Sequence, residues 1–322
     1  MRFVSEADVS RVLTMRDAVD CVDRALADHA RGSAIDVPRE RTRTGLGTLS
    51  ILQGAAPQAG VTGYKAYYAT PLGSRSHVYL YDAVSGVPLA LIEANFFNVL
   101  RTGAASAAAT RHLARTDATV LGQIGAGRIG AGQLEGVCAV RPIRSARVYA
   151  RTRDKLEMFC ADMSEKLGIE VLPADSAADA VRGADIVNVI TKSAVPVLAG
   201  AWLTPGQHVN AAGNNQLSRR ELDAEAVRRF DLIAVDSRDT ARRECGELLP
   251  LVESGHLRWE SVTEIGEIMA GLQPGRVSDE QITLYKSHGM AVQDLYVAAR
   301  VLQLVRAQGS SAIPQLEQRP QL

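Results

Sequence analysis

Apolar and polar positions follow three different patterns along the chain, two of them in the N-terminal third. Between residues 18 and 26, apolar residues recur every three or four positions, which predicts an amphipathic helix. Thr14 and Asp17 form a capping box at its start, and Gly32 is expected to end it. From residue 38 to residue 93, short apolar runs are separated by turn residues. This pattern predicts an antiparallel sheet or small barrel, with strands near residues 49–52, 63–68, 78–81 and 88–93.

An alanine-rich stretch over residues 99–114 predicts a helix that starts near Arg101 and Thr102. At that place the Arg101 cation would oppose the positive end of the helix dipole. Such a position costs stability unless an anion joins the site and is held by both the guanidinium and the helix N-terminus. Arg101 is therefore a candidate anion-binding residue.

The third pattern begins at residue 118, where continuous apolar runs alternate with helical stretches. Such alternation predicts right-handed βαβ units in a doubly wound parallel sheet. After a first strand at residue 118, further strands are expected near residues 145–149, 170–172, 186–190, 208–211 and 232–235. A last amphipathic helix is expected over residues 290–307, followed by a polar, frayed tail over residues 308–322.

These patterns place the chain in the α/β class with two domains. A parallel-sheet domain is expected over residues 115–289. An α+β domain is expected over residues 1–114, completed by the C-terminal segment 290–322. The length of 322 residues agrees with two domains of about 150 residues each.

Charge and apolar content narrow the class of protein. The 36 basic and 36 acidic residues give a formal net charge of zero, which argues against nucleic-acid binding because phosphates require a surplus of positive charge. No apolar run approaches the roughly 18 residues of a membrane helix, and the N-terminus lacks the apolar region of a secretory signal. We expect a soluble, cytoplasmic protein with no membrane partner.

The cysteines and histidines indicate neither a metal site nor hydrolytic chemistry. Cys21, Cys138, Cys160 and Cys245 lie far apart, with no CxxC pair and no histidine at zinc-ligand spacing. Reduced thiols are therefore expected. The GxSxG motif of serine hydrolases is also absent from the sequence.

A glycine motif follows the first strand of the predicted parallel sheet. Gly125, Gly127 and Gly130 have GxGxxG spacing between an apolar strand and a helix start. Glycines at this spacing allow a tight turn and let a pyrophosphate approach the N–H groups of the helix. A merely flexible loop would not explain the strand and helix on either side. The motif predicts a dinucleotide site and a Rossmann-type sheet.

The end of the second strand distinguishes the two nicotinamide cofactors. An acidic residue there would bind the ribose 2′-hydroxyl of NAD(H), whereas arginine suits the 2′-phosphate of NADP(H). Residues 148–153 read VYARTR, with Arg151 and Arg153 and no acid. NADP(H) is favoured and NAD(H) remains possible. The alternative interpretation is that both arginines are solvated surface residues.

Other candidate residues lie at strand ends and among the N-terminal cations. Thr191 and residues 209–215 follow strands at the sheet edge where α/β proteins bind ligands. The cations in apolar or strand-like surroundings are Lys65, Arg101, Arg39 and Arg41. A buried cation needs an anionic partner, for which a substrate carboxylate is one candidate, although ordinary surface positions would also account for these residues. Alternation along the strand leaves open whether Lys65 points inward.

With these motifs and candidate residues, the chain resembles the ornithine cyclodeaminase/μ-crystallin family along nearly its whole length. Besides the glycine turn, the matching blocks are residues 61–65, LYDAVSGVPLALIEA at 80–94, LRTGAAS at 100–106, NAAGNN at 210–215 and KSHGMAVQD at 286–294. The resemblance implies a homodimer in which the N-terminal domain, with the last helix, binds substrate and forms the dimer. The middle domain would bind the dinucleotide.

The resemblance also implies roles for individual residues. Lys65, Arg101 and either Arg39 or Arg41 fall on positions that bind the substrate carboxylate or assist proton transfer, and Lys65 and Arg101 are the expected catalytic residues. His288 and Asn215 fall on positions that face the substrate. The cofactor positions are matched by Gly125, Gly127, Arg128, Ile129, Gly130, Arg151, Thr152, Thr191, Val209, Asn210, Ala211, Ala212, Arg219 and Ser287.

Members of this family transfer a hydride at the α-carbon of a small amino or imino acid. Ornithine cyclodeaminases carry an aspartate as acid and base where this chain has Asn215, and an amide neither accepts a proton nor pairs with an ammonium. The main hypothesis is an NAD(P)-dependent oxidoreductase of the ketimine reductase or amino-acid dehydrogenase type. The alternatives are an ammonia-releasing cyclodeaminase and a nicotinamide-dependent small-molecule-binding protein.

Overall fold

A computed structural model describes residues 1–308, so most of the tail expected at residues 308–322 lies outside the described part. The described chain divides into two compact units: residues 1–101 with residues 290–308, and residues 102–289. The strands of the first unit are Arg2–Val4 (β1), Ile35–Arg43 (β2), Thr48–Ala56 (β3), Val61–Thr70 (β4), Gly73–Asp82 (β5) and Pro88–Glu93 (β6). Its helices are Glu6–Val12 (α1), Met15–Ala30 (α2), the first part of Asn95–Leu113 (α3) and Ala291–Ala307 (α11).

The first unit is built on an open six-stranded sheet with the order β1-β6-β5-β4-β3-β2. The strands from β2 to β6 pair antiparallel, as predicted for β3 to β6. Strand β2 and strand β1, which joins β6 in parallel, were not predicted. Helix α11 packs on β3, β4 and β5, and α2 packs on α11. Lys65 stands in register with Leu52 and Val78, and all three are buried beneath this helical layer. The face of Lys65 is therefore the inward face.

Helix α2 begins and ends where the sequence predicts. The Thr14 hydroxyl accepts a hydrogen bond from the N–H of Asp17 and donates one to the Asp17 carboxylate. The same carboxylate forms an ion pair with Arg300 of α11 at 2.9 Å. After the helix, Gly32 adopts φ +73°, a left-handed conformation that suits glycine.

The second unit contains a parallel sheet with helices around it. Its strands are Val120–Ile124 (β7), Ser145–Tyr149 (β8), Glu170–Pro173 (β9), Ile186–Val189 (β10), His208–Ala211 (β11), Leu232–Val235 (β12), Thr263–Glu264 (β13) and Thr283–Lys286 (β14). Its helices are Arg128–Val140 (α4), Arg153–Leu167 (α5), Ala177–Val181 (α6), Ala224–Arg229 (α7), Arg238–Glu244 (α8), Leu249–Glu253 (α9) and Ile265–Met269 (α10). The strand order is β13-β12-β14-β11-β10-β7-β8-β9, and every pair is parallel. The predicted doubly wound class is confirmed.

Apolar residues fill both faces of this sheet. Ile186 and Val187 belong to different apolar clusters, as expected when successive side chains point to opposite faces. A strand buried on both faces reads as a continuous apolar run, which explains why most of these strands are visible in the sequence. The short strands β13 and β14 lie in more polar stretches and were not predicted.

The division between the units falls inside α3, whereas the sequence placed it after residue 114. A Cβ on Gly103 would lie 2.0 Å from the carbonyl oxygen of Gly132, and one on Gly136 would lie 2.6 Å from the carbonyl oxygen of Gly103. Helices α3 and α4 therefore touch backbone to backbone, which only glycine permits. This contact joins the C-terminal part of α3 to the second unit. Among residues 1–308, no helix is both long enough and apolar enough to cross a membrane.

Candidate functional site

Lys65 is the centre of a buried polar cluster in the first unit. Its side chain rises from β4 beneath α11, and the residue is 3% exposed. The ammonium donates to Asn98 Oδ1 at 2.6 Å and to Asp294 Oδ1 at 3.0 Å. Three distant segments of the chain therefore meet at one nitrogen atom.

Arg101 belongs to the same cluster and retains hydrogen-bonding capacity. Its Nε lies 2.9 Å from Asp294 Oδ1, while Nη2 donates to Asn98 and Nη1 donates to Gln293. Each terminal nitrogen carries two hydrogens and gives one to these amide oxygens. One N–H on each therefore remains, and such a pair, a guanidinium fork, can bind a carboxylate bidentately.

The expectation that Arg101 lies at the start of its helix was wrong. Helix α3 begins at Asn95 and places Arg101 in its second turn. The N–H groups of Asn95 and Phe96 donate to the Glu6 carboxylate at 2.6 and 2.7 Å. Glu6 is therefore the anion that compensates the helix dipole, and its position 89 residues upstream of Asn95 hides it from local sequence patterns.

Burial and neighbouring charges both act on the Lys65 ammonium. Burial lowers the pKa of Lys65 to about 8, against the opposing attraction of Asp294, while Arg101 and Arg39 lower it further. Arg39 is half-buried in β2, at an irregularity between Val37 and Glu40. Because the charge of Arg39 contributes to the lowered pKa of Lys65, Arg39 fits the cluster better than Arg41 does.

Three members of this cluster were not among the predicted site residues: Asn98, Gln293 and Asp294. Asp294 and Lys65 are 229 positions apart in the sequence. Asn98 lies three positions before Arg101, on the same side of α3. The signal available in the sequence was the Gln–Asp pair within the apolar stretch AVQDLYVAA, residues 291–299. Both side chains are fully buried in the structure, where polar groups need partners.

The glycine turn of the second unit has the backbone geometry of a phosphate site. Gly125 has φ +119°, and a Cβ there would lie 2.3 Å from the carbonyl oxygen of Ile190. A Cβ on Gly130 would lie 2.6 Å from the carbonyl oxygen of Gly125. Gly127 caps α4, so Arg128 and Ile129 are the first residues of the helix, where N–H groups lack acceptors within the helix. The turn therefore fits a dinucleotide pyrophosphate.

A buried glutamine fixes this turn from below. Gln123 Nε2 donates to the carbonyl oxygens of Gly125 and Gly130. A chain of side-chain hydrogen bonds continues from Gln123 across the sheet: Asn188 donates to Gln123, and Asn210 donates to Asn188. The amide of Asn210 is thus part of a structural network inside the sheet, and the side chains of Val209 and Ala211 are buried in the apolar core.

The segment directly after β8, residues 150–153, is basic and contains no acidic residue. Ala150 follows the strand, and exposed Arg151 and Thr152 precede α5. Within residues 1–308, no acidic side chain pairs with Arg151. Arg153 differs, because it forms ion pairs with Glu157 at 2.6 Å and Asp175 at 3.1 Å.

Other predicted residues lie in loops after the strands. Thr191 follows β10, where both its N–H and its hydroxyl donate to Glu221. The Ala212 N–H donates to the carbonyl oxygen of Val189. Arg219 donates to the carbonyl oxygen of Lys192 at 2.7 Å, and the side chain of Asn215 is half-exposed.

The loop after β14 is held by one aspartate that was not predicted. The Asp236 carboxylate accepts hydrogen bonds from the hydroxyls of Tyr285 and Ser287 and from the N–H groups of His288 and Gly289. Ser287 and His288 are both buried. Asp236 thus sets the position of two residues to which the family resemblance gives roles.

No group of three histidine, cysteine or acidic side chains in the described part of the chain is arranged to hold a metal ion.

Comparison with known proteins gives consistent matches. The model of the ornithine cyclodeaminase/mu-crystallin family matches residues 2–309. A Delta(1)-pyrroline-2-carboxylate reductase of Bacillus cereus is 38% identical over 222 residues, which cover 69% of this chain and 68% of that protein. The Thermococcus litoralis Delta(1)-pyrroline-2-carboxylate reductase, solved with NADH and L-proline, has a TM-score of 0.92 and 32% identity, covering 96% of this chain and 98% of that one. An archaeal alanine dehydrogenase dimer with bound NAD has a TM-score of 0.91 and 29% identity, covering 98% and 99%.

Proposed function

The chain belongs to the ornithine cyclodeaminase/mu-crystallin family and is a nicotinamide-dependent oxidoreductase of amino and imino acids, and we propose that its own reaction is reduction of a small cyclic imino acid. The proposed product is the corresponding cyclic amino acid, as in conversion of Δ1-pyrroline-2-carboxylate to proline. Similarity to two reductases of that substrate supports the choice.

The buried cluster of Lys65, Arg101 and Asp294 is the observation that carries this proposal. Two cations share one carboxylate oxygen, Asp294 Oδ1, and Arg39 adds a further positive charge nearby. Such a site is short of negative charge and retains the guanidinium fork of Arg101. A substrate carboxylate supplies the missing charge and fits the fork.

Reduction of a C=N bond requires a hydride at carbon and a proton at nitrogen. The reduced nicotinamide, when bound, supplies the hydride. Arg101, assisted by Arg39, would hold the substrate carboxylate. The Lys65 ammonium would give its proton to the imine nitrogen and become a neutral amine, which burial favours because it lowers the pKa of this group to about 8.

Asp294 and Asn98 would position the proton donor. Asp294 keeps the ammonium charged before the reaction, and Asn98 accepts from Lys65 and from Arg101. The pair therefore fixes the separation between the group that holds the carboxylate and the group that donates the proton. Such fixed geometry is a large part of what an enzyme contributes to rate.

In the second unit, the glycine turn and the N-terminus of α4 would hold the pyrophosphate. NADP(H) is the proposed physiological cofactor, supported by Ala150 at the selecting position and by exposed Arg151 beside it. The two solved relatives named above hold NADH and NAD, respectively, so the proposal for this chain differs from what those structures contain.

We also propose a homodimer that works in the cytoplasm. On the outer face of the six-stranded sheet, the rings of Tyr64 and Tyr79 stack with centroids 5.5 Å apart, and Tyr81 adjoins Tyr79. Phe3 and Ile51 on this face are each 37% exposed. A large exposed apolar surface is typical of an interface, and one solved relative is a dimer. The four cysteines are unpaired thiols, as expected in a reducing compartment.

Reductase activity and its main alternative are separated by one assay. Purified protein is mixed with Δ1-pyrroline-2-carboxylate, and oxidation of NADPH and of NADH is followed by absorbance. A 2-keto acid with added amine and a diamino acid are tested in parallel. Proline formation with stoichiometric cofactor oxidation supports the proposal. Ammonia release from the diamino acid without net cofactor oxidation would instead identify a cyclodeaminase.

A further inference from the structure

One buried carboxylate joins two loops of the parallel sheet. Glu221 Oε1 accepts hydrogen bonds from the N–H of Thr191 at 2.6 Å and from its hydroxyl at 2.8 Å. Oε2 accepts from the N–H of Gly213 at 2.8 Å. Thr191 follows β10 and Gly213 follows the neighbouring β11, so both bonded segments lie at the carboxyl edge of the sheet.

The close packing around this carboxylate leaves no space for a side chain at residue 213. A Cβ on Gly213 would lie 2.3 Å from Glu221 Oε1 and 2.2 Å from the carbonyl oxygen of Thr191. Only glycine lets the three groups approach this closely. Glu221 itself is fully buried, and its backbone N–H donates to Glu247 Oε1 at 2.9 Å.

We propose that Glu221 is a positioning residue for dinucleotide binding: its ionised carboxylate holds the Thr191 and Gly213 loops in the binding geometry. The inference rests on the proposed dinucleotide site, to which these two loops belong. The carboxylate offers acceptors to three donors, whereas a protonated acid must turn one oxygen into a donor. Loss of the charge therefore weakens all three bonds and breaks at least one, which loosens the loop bonded to the protonated oxygen.

Burial and the charges around Glu221 determine the pH at which its carboxylate is protonated. The titratable groups that face it are Glu247 and Lys286, and the thiol of Cys245 stands behind Glu247. Lys286 donates to the carbonyl oxygen of Asn214 and lies 3.4 Å from Glu247 Oε1. Two acids thus share one lysine. Burial raises the pKa of Glu221 to about 7, against the attraction of Lys286 and the hydrogen bonds from Thr191.

The expected pH dependence has opposite signs for binding and for stability. Cofactor affinity should rise with pH through about 7, because the ionised form holds the loops. The contribution of Glu221 to the stability of the free protein should fall as pH rises towards about 7, because the folded state binds this proton more tightly than the unfolded state does. A residue that served only to stabilise the fold would not produce these opposed trends.

The test is NADH binding by fluorescence titration at about pH 6 and about pH 8.5, without substrate. NADH is used because it lacks the 2′-phosphate, and phosphate monoesters titrate near pH 6. The variants are Glu221→Gln and, as a control of equal charge change, exposed Glu225→Gln on α7. Wild type and control should bind NADH more tightly at the higher pH. Glu221→Gln should bind roughly tenfold more weakly there, the scale of one charge-assisted hydrogen bond, and should lose the pH dependence.

Each result has a definite meaning. If wild type binds NADH with the same affinity at both pH values, the inference is wrong, and this measurement needs no variant. If Glu221→Gln binds like wild type at the higher pH, the inference is also wrong. If wild type binds neither NADH nor NADPH at any pH, the proposed dinucleotide site fails, and the inference fails with it. In kinetic assays Glu221→Gln should raise the KM for the cofactor far more than it lowers kcat.

Discussion

Replacing Lys65 by methionine tests the proposed proton donor most directly. Methionine preserves the length and apolar stem of the side chain while removing the ammonium. The two partners of Lys65 still have a partner after the substitution. Asp294 Oδ1 retains its ion pair with Arg101 Nε, and Asn98 Oδ1 still accepts the hydrogen bond from Arg101 Nη2. The substitution therefore removes a proton donor without stranding its neighbours.

The structure gives the size and sign of the stability effect. Burial lowers the pKa of Lys65 from 10.5 to about 8, which means that the folded protein disfavours the charged ammonium by about 3 kcal/mol. The folded state thus binds this proton less tightly than the unfolded state, and the penalty is present in full below about pH 8. Lys65→Met relieves it, while Asp294 loses one of its two cations. We expect a melting temperature at pH 7 equal to or above that of wild type.

Turnover should respond in the opposite way. General acids contribute roughly 10²- to 10⁴-fold to rate, so turnover of Lys65→Met should fall at least about 100-fold while NADPH binding is unchanged. In wild type, kcat/KM for the imine should decline as pH rises through about 8, because the donor loses its proton.

A matched control is Lys166→Met, which removes a half-exposed lysine paired with Glu135 on the surface. Exposed pairs contribute little, so this variant should keep both stability and turnover. Melting temperature, NADPH binding and turnover are measured on the same preparations. Retained turnover in Lys65→Met would exclude Lys65 as the proton donor. A strong loss of melting temperature with unchanged turnover per folded molecule would show a structural role instead.

Three further outcomes are expected. Arg101→Leu should raise the KM for the imino acid and lower kcat/KM by at least about 100-fold, with cofactor binding unchanged by equilibrium titration; an unaltered KM would contradict carboxylate binding. Arg151→Ala should weaken NADPH binding by roughly tenfold to a hundredfold and leave NADH binding as it was, and equal losses for both cofactors would refute the 2′-phosphate contact. Light scattering should give twice the chain mass, and Tyr79→Glu should yield a monomer, because a charge on the outer sheet face opposes burial. A monomeric wild type at micromolar concentration would disprove the dimer.

Local rules were enough for most of the strands, most long helices and the glycine turn. The backbone of the turn depends on residues within one short segment, so Gly125, Gly127 and Gly130 could be recognised from spacing alone. Parallel strands buried on both faces leave continuous apolar runs, which made most of β7 to β12 visible. The start of α3 was misplaced because the group that caps it, Glu6, lies on another element.

The partners of the functional groups were decided only by tertiary structure. The sequence by itself determined that Lys65 and Arg101 were candidate cations and that Thr191 and Gly213 followed strands. It did not show that Asp294 forms ion pairs with both Lys65 and Arg101. Nor did it show that Glu221 accepts hydrogen bonds from Thr191 and Gly213. The physical reason is that the partners of a buried charged group are its neighbours in space, because its interactions are strong in the low-dielectric interior. Those neighbours can be far away in the sequence, as Asp294 is from Lys65 at 229 positions. Periodicity describes which face a residue occupies, whereas only the packed fold determines what that face meets.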